Sequence, residues 1–328
     1  MAQDGDAEPL GAVESDAWWP VPVVFRQPAF SDAGALQRFD YVPGAAASQP
    51  WRMCVSVPRA DFQFVAAVIH GIATEATRQG ARISVLDNGE ADSASQAAQI
   101  RTCLGTSDAL LVVAAESGGL DAVFEEAARA AIPVINVAIE THSEPVDAKV
   151  VPNPVLVGGA VGQYLAEQFP AGTDRGPVAW FPGPDGASFT RGYDDGFRLA
   201  LGDSEVEVVA GGSTALDPQS LNAAVAGALD AHDDLAAVAG AGLMIEQAMP
   251  LVHGATPILL STSITKGIAN AIAEGKVAGA VNTRPAMMGR IAADIAIRAI
   301  EGRPYLRDVQ PRIGFVDKAT IGDLDLSN

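Results

Sequence analysis

The residues of this chain that are capable of chemistry fall mainly at the ends of apolar segments of strand length. In the first half they are Arg59, Asp61, Phe62, Phe64, Glu116 and Glu140, and in the second half they are Asp185, Phe189, Arg191, Thr262, Thr283 and Arg284. Open parallel sheets bind their ligands outside the carboxyl ends of the strands. Polar groups with a few aromatic side chains suit a small polar solute. We therefore expect these residues to line a ligand cleft.

Each of these residues also has a structural alternative. Asp61 and Asp185 suit the capping of the helices that follow them. Phe64 suits core packing, and Glu140 suits a solvent-facing charge. Their shared position at strand ends, more than any one residue type, indicates a ligand site.

Enzyme signatures are sparse in this sequence. The four histidines are scattered, without a second ligand at the spacing of a metal site. No serine lies in a nucleophile elbow, and neither cysteine lies near a plausible base. The glycine-containing segments Gly183–Ser188 and Gly240–Gly242 lack, respectively, the Lys-Ser/Thr of a phosphate-binding loop and the third glycine of a dinucleotide fingerprint. The sequence therefore predicts a binding protein with no catalytic residue, metal site or cofactor.

The charge of the chain excludes some partners. Its 328 residues carry 21 basic and 40 acidic side chains, a formal net charge of −19. Such a charge repels nucleic acid and anionic membranes, and no apolar run reaches the roughly 18 residues of a membrane span. Met1 is followed by neither the basic nor the apolar region of an export signal. The chain is thus expected to be either cytosolic or an exported product that lacks its leader.

The apolar periodicity predicts alternating strands and helices from Trp51 onward, and the pattern repeats between Val155 and Ile300. The strand-length runs of the first set are Arg52–Pro58, Arg82–Asp87, Asp108–Glu116 and Ile132–Ile139, and a late strand is expected at Arg312–Val316. Continuous apolar strands joined by crossover helices are typical of parallel sheets covered on both faces. A chain of this length suggests about two domains of roughly 150 residues. The predicted fold class is α/β, with two doubly wound parallel-sheet lobes around a cleft.

The first fifty residues differ from the rest. Residues 1–50 lack a helical or strand period long enough for a domain, and several prolines interrupt them. We expect an extended N-terminal arm that lies on the first lobe and is anchored by aromatic side chains such as Trp18 and Trp19. Docking of this arm on a partner is the alternative.

The two cysteines, Cys54 and Cys103, are consistent with one disulfide or with two buried thiols. Cys54 opens the first predicted strand, and Cys103 ends the second predicted helix. In a doubly wound sheet of strand order 2-1-3-4-5, both positions lie side by side at the bottom edge. This placement favours the disulfide and an oxidising compartment.

The order of these elements resembles that of the type I periplasmic binding proteins, the superfamily of the ribose-binding proteins. Over nearly the whole chain it resembles more closely the TorT-like periplasmic sensors of trimethylamine N-oxide respiration. The segments that carry the resemblance are the Trp-Pro arm before the first strand, Trp51–Val55, Gln99–Cys103, Phe181–Ala187, Pro285 and Gly289–Ala292. The resemblance implies a periplasmic protein whose two lobes are joined by three hinge crossovers. The crossovers fall near Val151–Pro154, Ser261–Ser263 and Thr283–Pro285. The first lobe would then consist of residues 51–152 and 284–303. The second lobe would consist of residues 153–283 and 304–328.

The resemblance also bears on the ligand. Arg191 matches the ligand-contacting arginine of ribose-like binders, and we expect it to face Asp61 across the cleft. The sugar-binding Asp and Gln of those proteins are replaced by Thr262 and Thr283. The N-oxide sensors have aromatic residues after the first strand and near the first crossover. After the first strand this chain has Phe62 and Phe64, and at the crossover it has Asn153. This chain therefore offers fewer aromatic side chains for a cation–π cage around a methylated amine.

Two functions follow from the resemblance. The first is a ligand sensor that binds a small polar or methylamine-type solute and docks on the sensor domain of a membrane histidine kinase. The alternative is the solute-binding protein of an ABC transporter, which delivers a sugar or other small polar solute to its permease. Neither function involves nucleic acid or enzymatic turnover.

Overall fold

The structure, a computed structural model, describes residues 19–31, 34–87, 89, 92–169, 176–185, 187–202, 204, 206–211, 217–254 and 256–324. These residues form two mainly parallel sheets with helices packed against them. The predicted two-lobed α/β fold class is thereby confirmed. In this described part of the chain, no helix has the length and apolar character needed to cross a membrane.

The first lobe is built on one sheet. Its strands are β1 (Val21–Gln27), β2 (Ala35–Tyr41), β3 (Arg52–Val57), β4 (Arg82–Asp87), β5 (Ala109–Val112), β6 (Val134–Val137), β7 (Ala148–Val150) and β13 (Asp308–Pro311), and its helices are α1 (Gln63–Gln79), α2 (Ser93–Cys103), α3 (Asp121–Arg129) and α9 (Pro285–Ile300). The strand order is β2-β1-β13-β7-β6-β5-β3-β4, in which β4-β3-β5-β6-β7 are parallel in the expected 2-1-3-4-5 order. Successive residues of β3 face opposite cores: Met53 and Val55 pack with α1 and α9, and Cys54 packs with α2 and α3.

The second lobe is built on the other sheet. Its strands are β8 (Val178–Phe181), β9 (Val208–Ala210), β10 (Ala237–Gly240), β11 (Ile258–Ser261), β12 (Gly279–Asn282) and β14 (Gly314–Asp317). Its helices are α4 (Pro154–Gln168), α5 (Thr190–Leu201), α6 (Pro218–Ala231), α7 (Gly242–Ala248) and α8 (Lys266–Glu274), and a 3-10 turn follows at Ile321–Asp323. The strand order β14-β12-β11-β10-β8-β9 repeats the parallel arrangement of the first lobe and adds β14 antiparallel at the edge.

Local sequence signals start and end several of these helices. The side chains of Asp92, Asp217 and Thr265 accept hydrogen bonds from the backbone N–H three residues later, and so begin α2, α6 and α8. Gly80 and Gly275 adopt the left-handed conformation that ends α1 and α8. These residues set the helix lengths independently of the tertiary contacts.

Each lobe contains one very close helix pair next to the cleft. A Cβ added to Gly71 of α1 would overlap the carbonyl group of Ala286 in α9. A Cβ added to Gly158 of α4 would overlap the carbonyl group of Tyr193 in α5. Because only glycine permits these approaches, the two glycines fix how the first turns of α9 and α5 meet the cleft.

The N-terminal segment lies on the first lobe, as the sequence predicts, but it forms a β-hairpin and not an extended arm. β1 and β2 form an antiparallel hairpin, and β1 also pairs antiparallel with β13, so the hairpin extends the first sheet. Residues 1–18, including Trp18, lie outside the described residues, whereas Trp19 packs against the first-lobe core. The prediction failed because Pro22 within β1 weakens the strand signal and because β13 lies far away in the sequence.

Two of the expected crossovers are where the resemblance places them, and the third is not. The chain passes between lobes after β7, after β12 and between β13 and β14. The expected crossover at Ser261–Ser263 is wrong because β11 and α8 belong to the same lobe. Residues 308–311 also belong to the first sheet and not to the second lobe, as their pairing with β7 and β1 shows. The third crossover is therefore residues 312–313.

The two cysteines form a disulfide between β3 and the end of α2. The Cα atoms of Cys54 and Cys103 lie 6.3 Å apart, and the described residues contain no free cysteine. The predicted disulfide is thus confirmed, and the alternative of two buried thiols is wrong. The bond holds α2 onto the sheet inside a buried apolar cluster.

Candidate functional site

The two sheets face each other through the carboxyl ends of their parallel strands. The crossover from β7 leads to the start of α4, and the crossover from β12 leads to the start of α9, so each joins a strand end of one lobe to a helix start of the other. Across the gap, Gln63 Oε1 at the start of α1 accepts a hydrogen bond of 3.2 Å from Lys266 N at the start of α8. The cleft between these ends is the candidate ligand site.

Two threonine hydroxyls of the second lobe are buried at this cleft. Thr262 follows β11, and Thr283 follows β12, the adjacent parallel strand. They are only 2% and 3% exposed, and neither side-chain oxygen has a hydrogen-bond partner among the described residues. Buried polar groups normally have such a partner. The two hydroxyls therefore remain available to a bound solute.

Arg284 adds an uncompensated positive charge next to these hydroxyls. It adopts the left-handed conformation (φ 56°) before α9, a sparsely populated region for a non-glycine residue, and its backbone N donates a 2.9 Å hydrogen bond to Asn282 Oδ1. Burial and the guanidinium of Arg312, on the third crossover, lower the pKa of Arg284. No carboxylate within the described residues pairs with either guanidinium. An anionic group would therefore be stabilised at this point of the cleft.

On the first lobe, Arg59 and Asp61 are partners of each other. Arg59 Nε and Nη2 donate to the two carboxylate oxygens of Asp61 at 2.8 and 2.5 Å. This hydrogen bonding raises the pKa of Arg59 and lowers the pKa of Asp61. The Arg59 guanidinium also lies 4.5 Å from the centre of the Phe62 ring. One aromatic face near the cleft is thus already occupied by a cation of the protein.

Two other first-lobe candidates have local contacts. Phe64 is half-buried against the first-lobe core, in agreement with its structural alternative. Glu116 is exposed, and its Oε2 accepts a 2.9 Å hydrogen bond from Ser93 N at the start of α2. Both residues therefore support the strand ends that border the cleft.

Glu140 and Asn153 lie together beside the hinge. Glu140 Oε1 forms an ion pair of 3.1 Å with Lys149 Nζ of β7. Asn153 Oδ1 accepts a 3.0 Å hydrogen bond from Val155 N and so begins α4. Both residues line a cavity on the first-lobe side of the hinge, in which no strand end of the second lobe takes part.

Arg191 and Asp61 each form an ion pair within their own lobe. The Arg191 side chain is 92% exposed, and its Nε lies 3.6 Å from Asp195 Oδ2, one helical turn further along α5. Asp61 is in turn engaged by Arg59. Each of the two residues therefore has an ion-pair partner on its own lobe, and their joint contact with a solute stays a prediction.

Phe189 and Asp185 lie in the turn that leads from β8 to α5. Phe189 is half-buried, and its ring centre lies 5.0 Å from that of Tyr193 with the rings tilted by 43°. Asp185 is exposed. Burial raises the pKa of Tyr193, so this phenol is neutral at physiological pH. The two rings give the second lobe an apolar face next to its polar strand ends.

Sequence reasoning missed Tyr193 and Arg312. The rule that selects strand ends passes over Tyr193, which lies inside α5, and over Arg312, which the sequence pattern assigns to a strand. Tyr193 would be found if the search for site residues included the first turn of the helix that follows each strand. Among the residues that the structure describes, no group of three or more His, Cys, Asp or Glu is suited to a metal ion.

Comparison with known proteins gives relatives that cover almost the whole chain. The chain is 25% identical over 300 residues to the periplasmic protein TorT of Escherichia coli K12, which is 88% of this chain and 86% of that protein. An ABC transporter solute-binding protein from Bradyrhizobium sp. BTAi1, solved with bound bis-tris, is 31% identical and has a TM-score of 0.84, with coverage of 94% of this chain and 95% of that one. TorT in complex with the TorS sensor domain and TMAO shares the fold, with a TM-score of 0.75, 20% identity, and coverage of 82% of this chain and 93% of that one.

The match to a family model extends over both lobes. The model describes a periplasmic binding protein domain and matches residues 53–304. This span runs from the first parallel strand to the end of α9 and includes the strand ends on both sides of the cleft. The chain therefore belongs to the periplasmic binding protein family.

Proposed function

We propose that the chain is a periplasmic, non-enzymatic receptor that binds a small polar, zwitterionic or methylamine-type solute between its lobes. One observation carries this proposal: three polar side chains at adjacent strand ends have no side-chain hydrogen-bond or ion-pair partner among the described residues. They are Thr262, Thr283 and Arg284. Two hydroxyls and a guanidinium suit a negatively charged oxygen of the solute. The rings of Phe189 and Tyr193 offer aromatic faces to a methylated nitrogen.

The relatives support this solute class. Bis-tris, bound to the Bradyrhizobium protein, is an amine that carries several hydroxyl groups. TMAO, present with TorT and TorS, combines a methylated nitrogen with a negatively polarised oxygen. Both molecules present an alkyl-substituted nitrogen beside oxygen atoms, which is the combination that the polar and aromatic sides of this cleft would accommodate.

A thermal-shift screen tests the proposal. The wild type is screened against TMAO, glycine betaine, bis-tris and proline, because a bound solute stabilises by about 2.7 kcal/mol at a hundredfold excess over its Kd. Arg284→Ala is expected to abolish the shift, since it removes the uncompensated guanidinium. Arg191→Ala is the matched control, because that arginine is exposed and paired with Asp195. A shift that survives in Arg284→Ala, or the absence of any shift in the wild type, contradicts the proposal.

For the downstream role, we infer a sensor that docks on the periplasmic domain of a membrane histidine kinase. The 25% sequence identity to TorT, over an alignment that covers 88% of this chain, supports this role. Solute binding would shift the balance between open and closed lobes, and the docked kinase domain would respond to that balance.

A transport role is the second candidate. The Bradyrhizobium protein, described as an ABC transporter solute-binding protein, is 31% identical to this chain and matches 94% of it. In this role the closed, loaded protein would deliver its solute to a permease.

One binding experiment distinguishes the two roles. The protein is immobilised and tested, with and without the stabilising solute, against the periplasmic domain of a histidine kinase encoded beside it. Solute-dependent binding supports the sensor. Failure of this binding, together with loss of solute uptake when the gene is deleted, supports transport.

A further inference from the structure

A second cavity lies on the first lobe, outside the interlobe cleft. Helices α2 and α3 cover one face of the sheet over β3, β5 and β6. Over the remaining strands of that face, β7, β13 and β1, the structure has a cavity of about 460 Å³. Its lining residues are Arg26, Phe30, Glu140, His142, Glu144, Lys149, Val151, Pro152, Asn153, Pro154, Asp308 and Gln310. This volume lies in the range of small-molecule sites, roughly 300–1,000 Å³.

The strand alternation aims polar side chains into this cavity. Val150 and Val309 face the apolar core on the α1 and α9 side of the sheet. Their strand neighbours Lys149, Asp308 and Gln310 therefore face the opposite side, and all three line the cavity. A buried sheet face that consists of polar side chains requires partners for each of them.

The charged residues of the cavity floor neutralise each other. Arg26 Nε lies 3.4 Å from Asp308 Oδ2, and Lys149 Nζ lies 3.1 Å from Glu140 Oε1. Phe30 N also donates a 3.2 Å hydrogen bond to Asp308 Oδ2. The floor thus pairs two cations with two anions, and the third carboxylate of the lining, Glu144, is exposed to solvent. A charged occupant would have no unpaired opposite charge on the floor.

Gln310 is the exception on this floor. It is 9% exposed, and its side-chain amide has no hydrogen-bond partner among the described residues. Because this amide lines the cavity, an occupant that both accepts and donates hydrogen bonds would provide its partners.

We propose that this cavity binds a neutral polyhydroxylated molecule of monosaccharide size or smaller. Hydroxyl groups donate to carboxylates and accept from ammonium, guanidinium and amide groups, which are the groups that Asp308, Lys149 and Gln310 present. The ring of Phe30 also lines the cavity, and its centre lies 5.5 Å from Lys149 Nζ and 4.9 Å from the Arg307 guanidinium. The occupant would also contact Pro152 and the hinge.

Titration with glycerol, D-ribose and myo-inositol, followed by thermal unfolding, tests this site. At least one of the three is expected to raise the Tm of the wild type in a saturable way. Gln310→Leu keeps the side-chain volume and loses no described hydrogen bond, so the variant should fold. We expect it to raise the Kd at least tenfold. Arg284→Ala, in the interlobe cleft, should leave this Kd unchanged.

A second variant guards against misfolding of the first. His142 is exposed at the cavity rim, and His142→Trp should hinder entry without touching the core. The proposal is overturned if none of the three molecules binds, if binding survives both variants, or if Arg284→Ala abolishes it. Because Arg284 lies in the cleft and does not line this cavity, Arg284→Ala tests solute binding in the cleft separately from binding in the cavity.

Discussion

Tyr41 Oη donates a 2.6 Å hydrogen bond to Asp294 Oδ2, which joins the end of the N-terminal hairpin to the buried side of α9. Asp294 is fully buried and accepts further hydrogen bonds from Gly44 N at 2.7 Å, Gln79 Nε2 at 2.8 Å and Arg298 Nε at 2.7 Å. The hairpin is thus fixed to the first lobe by a buried polar network, in addition to its strand pairing with β13.

Tyr41→Phe should destabilise the protein by about 1.5–3 kcal/mol, the usual contribution of a hydrogen bond to a charged group. Urea unfolding followed by circular dichroism measures the change. Tyr305→Phe is the control, because the Tyr305 hydroxyl has no hydrogen-bond partner among the described residues. Equal losses in both variants would contradict the assigned contact.

Alkaline pH should weaken the protein partly through Tyr41. Burial, and then the carboxylate of Asp294, raise the pKa of Tyr41 above its ordinary value of 10.0. The folded state therefore keeps a proton that the unfolded state releases. This contribution to stability is complete below pH 10 and falls above it, by about 1.4 kcal/mol per pH unit.

Urea unfolding at pH 9, 10 and 11 checks this slope. Tyr41→Phe should lose stability less steeply above pH 10 than the wild type. A residual slope is expected from Tyr193, whose pKa burial also raises. Identical slopes in wild type and variant would exclude a role for Tyr41.

Acid should weaken the protein through Glu301, at the end of α9. Burial tends to raise the pKa of this carboxyl, but hydrogen bonds from Ser48 N (2.5 Å) and Trp51 Nε1 (3.0 Å) outweigh it and lower the pKa from 4.5 to about 2. The stabilisation is present above pH 4.5 and is lost as the pH falls towards 2.

Glu301→Gln should therefore flatten the loss of stability between pH 4.5 and 2, as measured by thermal unfolding in a pH series. Glu274→Gln is the matched control, since Glu274 is exposed and, among the described residues, pairs only with Lys276. A wild-type pH profile in Glu301→Gln would contradict the assigned bonds.

Loss of the disulfide should be costly. Cys54 and Cys103 are separated by 49 positions, and closing a loop of this length is worth about 4 kcal/mol in the chain-entropy model. The double variant Cys54→Ala/Cys103→Ala should lose that amount in urea unfolding without reductant. A similar loss is expected for the wild type with reductant, whereas the variant should be insensitive to it.

The local pattern was sufficient for the regular parts of the fold. The helices Pro218–Ala231 and Lys266–Glu274 carry both an apolar face and a capping side chain at Asp217 and Thr265. For such elements, propensity, periodicity and capping agree. Local sequence is therefore sufficient to predict helices of this kind.

The missed elements depend on distant partners. β7 has only three residues, and β13 is short, polar and ends in Pro311. Both are strands because they pair with each other and because β1 joins β13 from the N-terminal end of the chain. No local period records such pairing, so the hairpin and the third crossover escaped prediction.

The sequence predicts where the candidate site lies but not which contacts its side chains make. The rule of strand ends selects Thr262, Thr283 and Arg284, whose side chains lack described partners. It equally selects Asp61 and Glu116, which the structure engages with Arg59 and Ser93. Which strand-end residues keep free hydrogen-bonding capacity depends on rotamers and neighbours that the sequence alone does not specify.

Hydrogen–deuterium exchange of the protein with a stabilising solute tests the central claim, that the solute binds between the lobes. Amide exchange should slow on both sides of the cleft together: at 59–63 in the first lobe, and at 262–264 and 283–284 in the second. Arg284→Ala should lose this protection, and Arg191→Ala should keep it. Protection confined to one lobe, or none at these strand ends under saturating solute, would contradict the account.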